Sequence, residues 1–244
     1  MFQMTALFKR AGTVRPLLIA GGFLGVFYSA WSTPGPYAAE QPMILPDPSW
    51  DVSDVTSLQT AVFVGGCFWG TQGVFQRVNG VVSTAAGYAG GSAQTAVYEL
   101  TETGTTGHAE AVRVVYDASK VSYGTLLKVF FSVAHDPTQR DSQGADVGTQ
   151  YRSAIFPQSA EQGIVASGYI KQIDIAHLFK APIATTVEAG KTFFEAEDYH
   201  QDYLVNHPTE PYIAYVEQPK VEALKQLYPS LWREQPLLTI DNRG

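Results

Sequence analysis

The stretch TAVFVGGCFWG, residues 60–70, decides how the chain folds. Residues 60–65 are an apolar run with the length of a buried strand, and Gly65 and Gly66 end it. The residues that follow, 68–78, predict a helix. Cys67 is therefore expected at the first turn of a helix that comes directly after a strand.

This position favours a reactive cysteine. The unpaired N–H groups and the dipole at a helix N-terminus stabilise an anion, so we expect the pKa of Cys67 to be lowered. The alternative is that Cys67 is a small buried hydrophobic residue. Phe68 and Trp69 follow it, and adjacent residues on a helix cannot both face the same side.

The elements on either side of this stretch predict the fold class. Strands are expected at 81–88, 110–116 and 151–156, and a helix capped by Ser122 is expected to end near His135. Strand–helix–strand thus occurs twice in succession. This order predicts an α+β fold, a split βαβ (ferredoxin-like) plait with helices packed on a mixed sheet and long functional loops. Beyond the plait we expect a helix capped by Ser159, a short strand and two helices, at 159–178, 185–188, 195–205 and 220–227.

The composition is that of a globular protein. Of 244 residues, 45% are hydrophobic and 16% are charged, and the net charge is −7. An acidic chain has no general attraction to phosphate backbones, so we expect no nucleic-acid partner.

The N-terminal region differs from the rest. Residues 1–39 contain three basic and no acidic residues, and an apolar run covers 17–31. This pattern predicts a signal peptide, with an uncleaved membrane anchor as the alternative, and hence a protein exported to the periplasm or anchored facing it. We expect a proline-rich linker at 40–57, a catalytic domain at 58–230 and a C-terminal tail at 231–244.

Five motifs then carry a resemblance. GCFWG at 66–70, TAAGYAGG at 84–91, TGHAEAV at 106–112, DVGTQYRS at 146–153 and AEDYHQ at 196–201 together resemble the peptide methionine sulfoxide reductase A family. The resemblance runs from about residue 61 to residue 204. It implies that the S epimer of methionine sulfoxide, protein-bound or free, is reduced to methionine.

The resemblance also implies site residues. Cys67 matches the nucleophile and Glu110 the general acid, a role for which partial burial would raise a carboxyl pKa. The substrate-binding positions are matched by Phe68, Trp69, Tyr98, Asp146 and Tyr151. Tyr98 and Tyr151 correspond to donors to the sulfoxide oxygen, and the two residues after Cys67 to the wall around the S-methyl group.

The cysteine count separates this chain from many members of that family. Those members carry further cysteines near the C-terminus, whereas this sequence contains only Cys67 and has EPYIAY at 210–215. Oxidised Cys67 must therefore be regenerated by an external thiol, which is thioredoxin-like, glutaredoxin-like or a small molecule. We expect a monomer without metal or organic cofactor. Two alternatives remain: an exported thiol hydrolase, which needs a histidine beside Cys67, and a non-catalytic binding module.

Overall fold

The computed structural model describes residues 42–53 and 56–239, and a six-stranded sheet runs through them. The strands lie in the order β7, β6, β1, β3, β2, β8. Their bounds are β1 Leu58–Gly65, β2 Val81–Ala89, β3 Ala109–Asp117, β6 Ser153–Ile155, β7 Thr186–Val187 and β8 Phe193–Glu195. A separate two-stranded hairpin pairs β4 (Ser142–Gln143) with β5 (Asp146–Val147).

The four central strands confirm the predicted plait. β1 pairs antiparallel with both β3 and β6, and β3 pairs antiparallel with β2. The second strands of the two strand–helix–strand units, β2 and β6, therefore form the two outer edges of these four strands, as in a split βαβ arrangement. β7 adds to β6 in parallel and β8 adds to β2 antiparallel, which makes the sheet mixed.

Six helices and several tighter turns complete the described part of the chain. The helices are α1 Phe68–Phe75, α2 Tyr98–Thr101, α3 Tyr123–Val129, α4 Ala160–Ile175, α5 Tyr203–Asn206 and α6 Gln218–Leu227. As predicted, the side chains of Ser122 and Ser159 cap α3 and α4, each accepting a hydrogen bond from a first-turn N–H at 3.1 Å. π-helical turns at Phe130–Ala134 and Ile213–Glu217 extend α3 and precede α6.

Strand alternation divides the buried residues between the two faces of the sheet. Ala61 and Phe63 of β1 belong to the main core, which includes the buried faces of the helices. Val62 and Val64 belong to a smaller cluster on the opposite face, as the two-residue period of a strand requires. On β3 the same period places Glu110 on the helix-covered side with Val112, because Ala109 and Ala111 lie in the smaller cluster.

The predicted helix at 195–205 is wrong. Glu195 ends β8, where it pairs with Gly87, and a 3-10 turn then covers Asp198–His200. Asp202 has φ of 58°, a left-handed conformation that an α-helix cannot continue through, so α5 begins only after it.

The proline-rich segment expected to be a linker contacts the domain along residues 42–53. Leu45 is buried, and its amide donates to the Tyr228 hydroxyl at 3.2 Å. The Asp51 carboxylate accepts from the Gly124 amide at 2.8 Å, at the start of α3. These contacts hold the segment against the core, and the domain boundaries themselves stay predictions.

The predicted signal peptide or anchor lies outside the described residues. Within 42–53 and 56–239, no helix has the length and apolar character needed to cross a membrane. Export therefore stays a prediction from the sequence.

Phe63 provides a test of the core. It is 0% exposed, and its ring stacks at 5.0 Å on both Phe75 and Phe130. Phe63→Ala is expected to lower the free energy of unfolding by about 3–5 kcal/mol, because the cavity left behind adds to the lost burial. Denaturant unfolding measures this, with Leu58→Ala as the control on the same strand. Leu58 is 62% exposed, and its replacement should cost less than about 0.5 kcal/mol. Equal losses in the two variants would contradict this account of the core.

Candidate active site

Cys67 lies at the N-cap of α1, directly after the glycine pair that ends β1. Gly66 has φ of 78°, and a Cβ at this position would lie 2.6 Å from the side chain of Gln143. A residue with a side chain would be strained here, so the turn that presents Cys67 requires glycine.

The first N–H groups of α1 already have partners. The Phe68 amide donates to Glu110 Oε2 at 2.9 Å, and the Trp69 amide donates to the Cys67 sulfur. The first of these bonds joins β3 to the start of α1, and it brings the carboxyl group into the neighbourhood of the thiol.

Six of the seven predicted site residues line one cavity of about 200 Å³. The cavity is bounded by Cys67, Trp69, Tyr98, Glu110, Asp146, Tyr151 and also Tyr212. Phe68 does not line it. Its ring lies behind the site, with ring centroids 5.9 Å from Tyr88 and 5.0 Å from His200, while its amide holds Glu110. Phe68 therefore lies next to the cavity without lining it, and its predicted contact with substrate stays a prediction.

A wider groove elsewhere on the protein lacks such groups. It has a volume of about 970 Å³ and is lined by Trp50 and Ile164 among others, without any cysteine, histidine or carboxylate. The chemically equipped cavity is the smaller one at Cys67.

The expected lowering of the Cys67 pKa is wrong. Cys67 is 6% exposed, and burial raises the pKa of its thiol well above 9.0, with Glu110, Glu217 and Asp146 adding to the effect in their ionised forms. The hydrogen bond from the Trp69 amide lowers the pKa but does not outweigh burial. The resting residue is therefore a thiol, because the helix N-terminus is offset by desolvation and by nearby carboxyl groups.

Glu110 is the second buried titratable group of the cavity. It is 3% exposed, and burial raises its pKa well above 4.5, against the opposing effect of the Phe68 amide; Glu102, Asp146 and Glu217 raise it further. A carboxyl group whose pKa is raised in this way is suited to act as a general acid.

Two tyrosines on the cavity wall also have raised pKa values. Burial raises the pKa of Tyr98 to about 12. Burial also raises the pKa of Tyr151, together with the charges of Glu110 and Glu102. The Tyr151 hydroxyl donates to Glu102 Oε2 at 3.0 Å, a partner that the sequence motifs do not indicate. Both phenols thus remain hydrogen-bond donors over the whole physiological pH range.

Two contacts fix the indole ring of Trp69, one on a ring face and one at its N–H group. It stacks on Tyr203 with ring centroids 3.8 Å apart and an interplanar angle of 9°. Its Nε1–H donates to His200 Nδ1 at 3.2 Å, and burial lowers the pKa of His200. A neutral imidazole accepts this bond, so the indole has a fixed orientation at the cavity.

Tyr212, Glu217 and Lys220 were not predicted as site residues. The Tyr212 hydroxyl lies 2.5 Å from Asp146 Oδ2 and 2.9 Å from Glu217 Oε1. Glu217 Oε2 in turn lies 3.0 Å from Lys220 Nζ. These residues come to the site through the π-helical turn before α6, a long-range contact for which the sequence offers no local pattern.

The part of the chain that the structure describes contains no cluster of three or more histidine, cysteine and carboxylate side chains arranged to hold a metal ion. The His200–Glu197 pair has a distance of 4.0 Å between Nε2 and Oε2. It packs beside the aromatic residues of the cavity wall.

Comparison with known proteins identifies the family. The family model described as peptide methionine sulfoxide reductase matches residues 59–231. The peptide methionine sulfoxide reductase MsrA 2 of Mesorhizobium japonicum is 58% identical over 75% of this chain and 93% of its own length. The protein named MsrA 2 in Synechocystis is 45% identical over 79% of this chain and 92% of its own length.

Solved structures give the same result for the fold. Reduced Mxr1 of Saccharomyces cerevisiae aligns with a TM-score of 0.56 at 31% identity, covering 66% of this chain and 92% of its own. Methionine sulfoxide reductase A of Corynebacterium diphtheriae aligns with a TM-score of 0.54 at 34% identity, covering 70% and 89%.

The protonation state of Cys67 leads to a prediction. Because its pKa is raised above 9.0, the thiolate fraction should be very small at pH 7 and should increase only as the pH rises beyond that value. We expect iodoacetamide to alkylate Cys67 much more slowly than free cysteine at pH 7, with mass spectrometry counting the adduct. The denatured chain is the control and should react like free cysteine. Alkylation of the folded chain at the free-cysteine rate at pH 7 would contradict the assignment.

Proposed function

The chain belongs to the peptide methionine sulfoxide reductase family and is an enzyme of that class. We propose that it reduces the S epimer of methionine sulfoxide, with Cys67 as the nucleophile and Glu110 as the general acid. The observation that carries this proposal is the shared cavity in which a buried thiol and a buried carboxyl group with a raised pKa face one small space. Protein-bound and free methionine sulfoxide are both substrates in this proposal.

The first step transfers one oxygen atom. The Cys67 sulfur attacks the sulfoxide sulfur, and the substrate's S–O bond breaks as Glu110 gives its proton to the oxygen. The released hydroxyl group then bonds to the Cys67 sulfur, and the transient sulfur–sulfur bond breaks with its electron pair going to methionine. Cys67 is left as a sulfenic acid, and the thiol proton goes to Glu110. Methionine leaves two electrons richer, and Cys67 is oxidised by two electrons. No proton is gained or lost overall.

The raised pKa of each group fits this exchange. An ionised Glu110 could not protonate oxygen, which leaves poorly unless protonated. The cost is that Cys67 begins as a thiol, so its proton must move as the attack occurs. Tyr98 and Tyr151 stabilise the developing negative charge on oxygen by donating hydrogen bonds, and their raised pKa values keep the hydroxyl hydrogens in place. For this, Tyr151 turns its single hydrogen from Glu102 Oε2 to the substrate oxygen.

The indole of Trp69 is the proposed contact for the S-methyl group. It lies on the cavity wall and cannot turn freely between Tyr203 and His200. The aromatic wall expected from the sequence is thus formed here by Trp69, while Phe68 contributes through its backbone amide. A fixed apolar wall on one side and hydrogen-bond donors on the other would distinguish the two sulfoxide epimers.

Regeneration uses an external thiol, because the chain has no second cysteine. The first thiol displaces water from the sulfenic acid and forms a mixed disulfide with Cys67. A second thiol releases the reduced enzyme and leaves as a disulfide. Thioredoxin-like and glutaredoxin-like proteins both supply thiols for these steps. The low exposure of Cys67 requires the attacking sulfur to project into the cavity.

The alternatives have less support. A thiol hydrolase would place a histidine beside Cys67, whereas the residues lining the cavity include none. His200 bonds to Trp69, and His135 bonds to Ser153. A non-catalytic binding module is disfavoured because Cys67 opens into a cavity that also contains a protonated acid and two phenols.

Glu110→Gln tests the acid role. The amide keeps the size of the side chain but has no proton to give to the sulfoxide oxygen. The rate of methionine formation in a single turnover near neutral pH is expected to fall by about 10²-fold or more, the range of general acid catalysis. Rapid quenching and chromatography measure methionine. Glu222→Gln changes an exposed carboxylate of α6 and should leave the rate unchanged. A rate in Glu110→Gln equal to wild type would exclude the role.

The regeneration step has its own test. After one turnover without reductant, a single equivalent of glutathione is expected to form a mixed disulfide with Cys67, because the sulfenic acid reacts with a thiol and no second cysteine can intercept it. Intact-protein mass spectrometry detects the adduct. Enzyme not exposed to substrate is the control and should not react. An oxidised enzyme that forms no adduct would contradict direct regeneration.

A further inference from the structure

One hydroxyl group contacts two carboxyl groups at the edge of the active site. The Tyr212 oxygen lies 2.5 Å from Asp146 Oδ2 and 2.9 Å from Glu217 Oε1. A phenol has a single hydrogen and can donate it to one acceptor only. If both carboxyl groups were ionised, the other contact would bring two electron-rich oxygens together without a hydrogen between them. The geometry therefore requires one further hydrogen on a carboxyl group.

The position of Lys220 indicates which carboxyl group is charged. Glu217 is 0% exposed and Lys220 is 7% exposed, and the ammonium lies 3.0 Å from Glu217 Oε2. A buried carboxylate requires a paired cation, and Lys220 supplies it for Glu217. Asp146 forms no ion pair within the described residues, and it faces the cavity. The further hydrogen is thus placed on Asp146.

We propose that Glu217, with Lys220 as its counter-ion, is a positioning residue that orients the Tyr212 hydroxyl and thereby keeps Asp146 protonated and neutral at the edge of the cavity. The hydrogen bonds run in one direction: Asp146 donates to Tyr212, Tyr212 donates to Glu217, and Lys220 neutralises the end of the chain. The inference rests on the proposed function only for what this arrangement does for catalysis.

The arrangement lowers the electrostatic cost of the attack. Around Cys67 lie Glu110, Asp146 and Glu217, and Lys220 pairs with the last of them. An ionised Asp146 would repel the negative charge that develops on sulfur and oxygen. A neutral Asp146, whose single hydrogen is used on Tyr212, removes this repulsion.

The Glu217 carboxyl group occupies space left by the missing side chain of Gly70. A Cβ on Gly70, in the first turn of α1, would lie 1.5 Å from Glu217 Oε2. Only a residue without a side chain leaves room for the carboxyl group there. The π-helical turn at Ile213–Glu217 brings Tyr212 and Glu217 to the same side, which a regular helix would not do for positions five residues apart.

Infrared spectroscopy counts the protonated carboxyl groups directly. At neutral pH the wild-type chain is expected to show two carbonyl bands of protonated carboxylic acids, one from Glu110 and one from Asp146, distinguished by isotope labelling of aspartate. Glu217→Gln should remove the aspartate band, because the amide N–H group can donate to Tyr212 and frees the phenol hydrogen for an Asp146 carboxylate. Tyr212→Phe should remove the same band while leaving the buried Glu217–Lys220 pair intact. Glu222→Gln is the matched control on α6 and should retain both bands.

Kinetics then separates this proposal from the proposed function. In a single turnover, Glu217→Gln and Tyr212→Phe are each expected to slow methionine formation by about tenfold, and the double variant should be no slower than either, because the two residues act through one chain. A wild-type spectrum without the aspartate band, or an unchanged band in both variants, would overturn the inference even if methionine forms. A wild type that shows the band but forms no methionine would overturn the proposed function and leave the hydrogen-bond chain standing.

Discussion

The hydrogen bond from the Phe68 amide to Glu110 is the contact on which the active site depends. It joins the first turn of α1 to β3, at the point where the strand's period places Glu110 on the helix-covered face of the sheet. The same bond uses an N–H group that would otherwise stabilise a thiolate at Cys67. The bond therefore fixes Glu110 beside Cys67, and the cysteine rests as a thiol instead of a reactive thiolate.

This arrangement explains why the pKa values of both groups are raised. Burial favours the neutral form of both Cys67 and Glu110, and the negative charges around them act in the same direction. In an oxygen-transfer reaction that neither gains nor loses a proton, such a pair is suitable, because the acid and the thiol exchange protons with the substrate. The raised pKa of Cys67 also protects the thiol from oxidation in the absence of substrate, since reactivity with oxidants follows thiolate character.

Local patterns in the sequence predicted most of the fold but only part of the site. The alternation in β1 and β3 and the capping serines of α3 and α4 depend on neighbouring residues, so the plait was predictable. The turn at Asp202 was not, because a left-handed aspartate has the same sequence signature as a helical one. The pKa of Cys67 depends on burial and on carboxyl groups from three other segments. Tyr212 reaches the cavity, with Glu217 hydrogen-bonded to it, only through long-range packing of the C-terminal region. The helix N-terminus, a local feature, predicted the opposite shift.

The most direct measurement of the central claim is a single turnover of the purified chain with excess racemic methionine sulfoxide and no reductant. Methionine is counted per enzyme, and the mass and modification of Cys67 are determined on the same sample. The account predicts about one methionine per chain, formed from the S epimer alone, with one oxygen atom gained at Cys67. No methionine with Cys67 still a thiol, or equal consumption of both epimers, would contradict it.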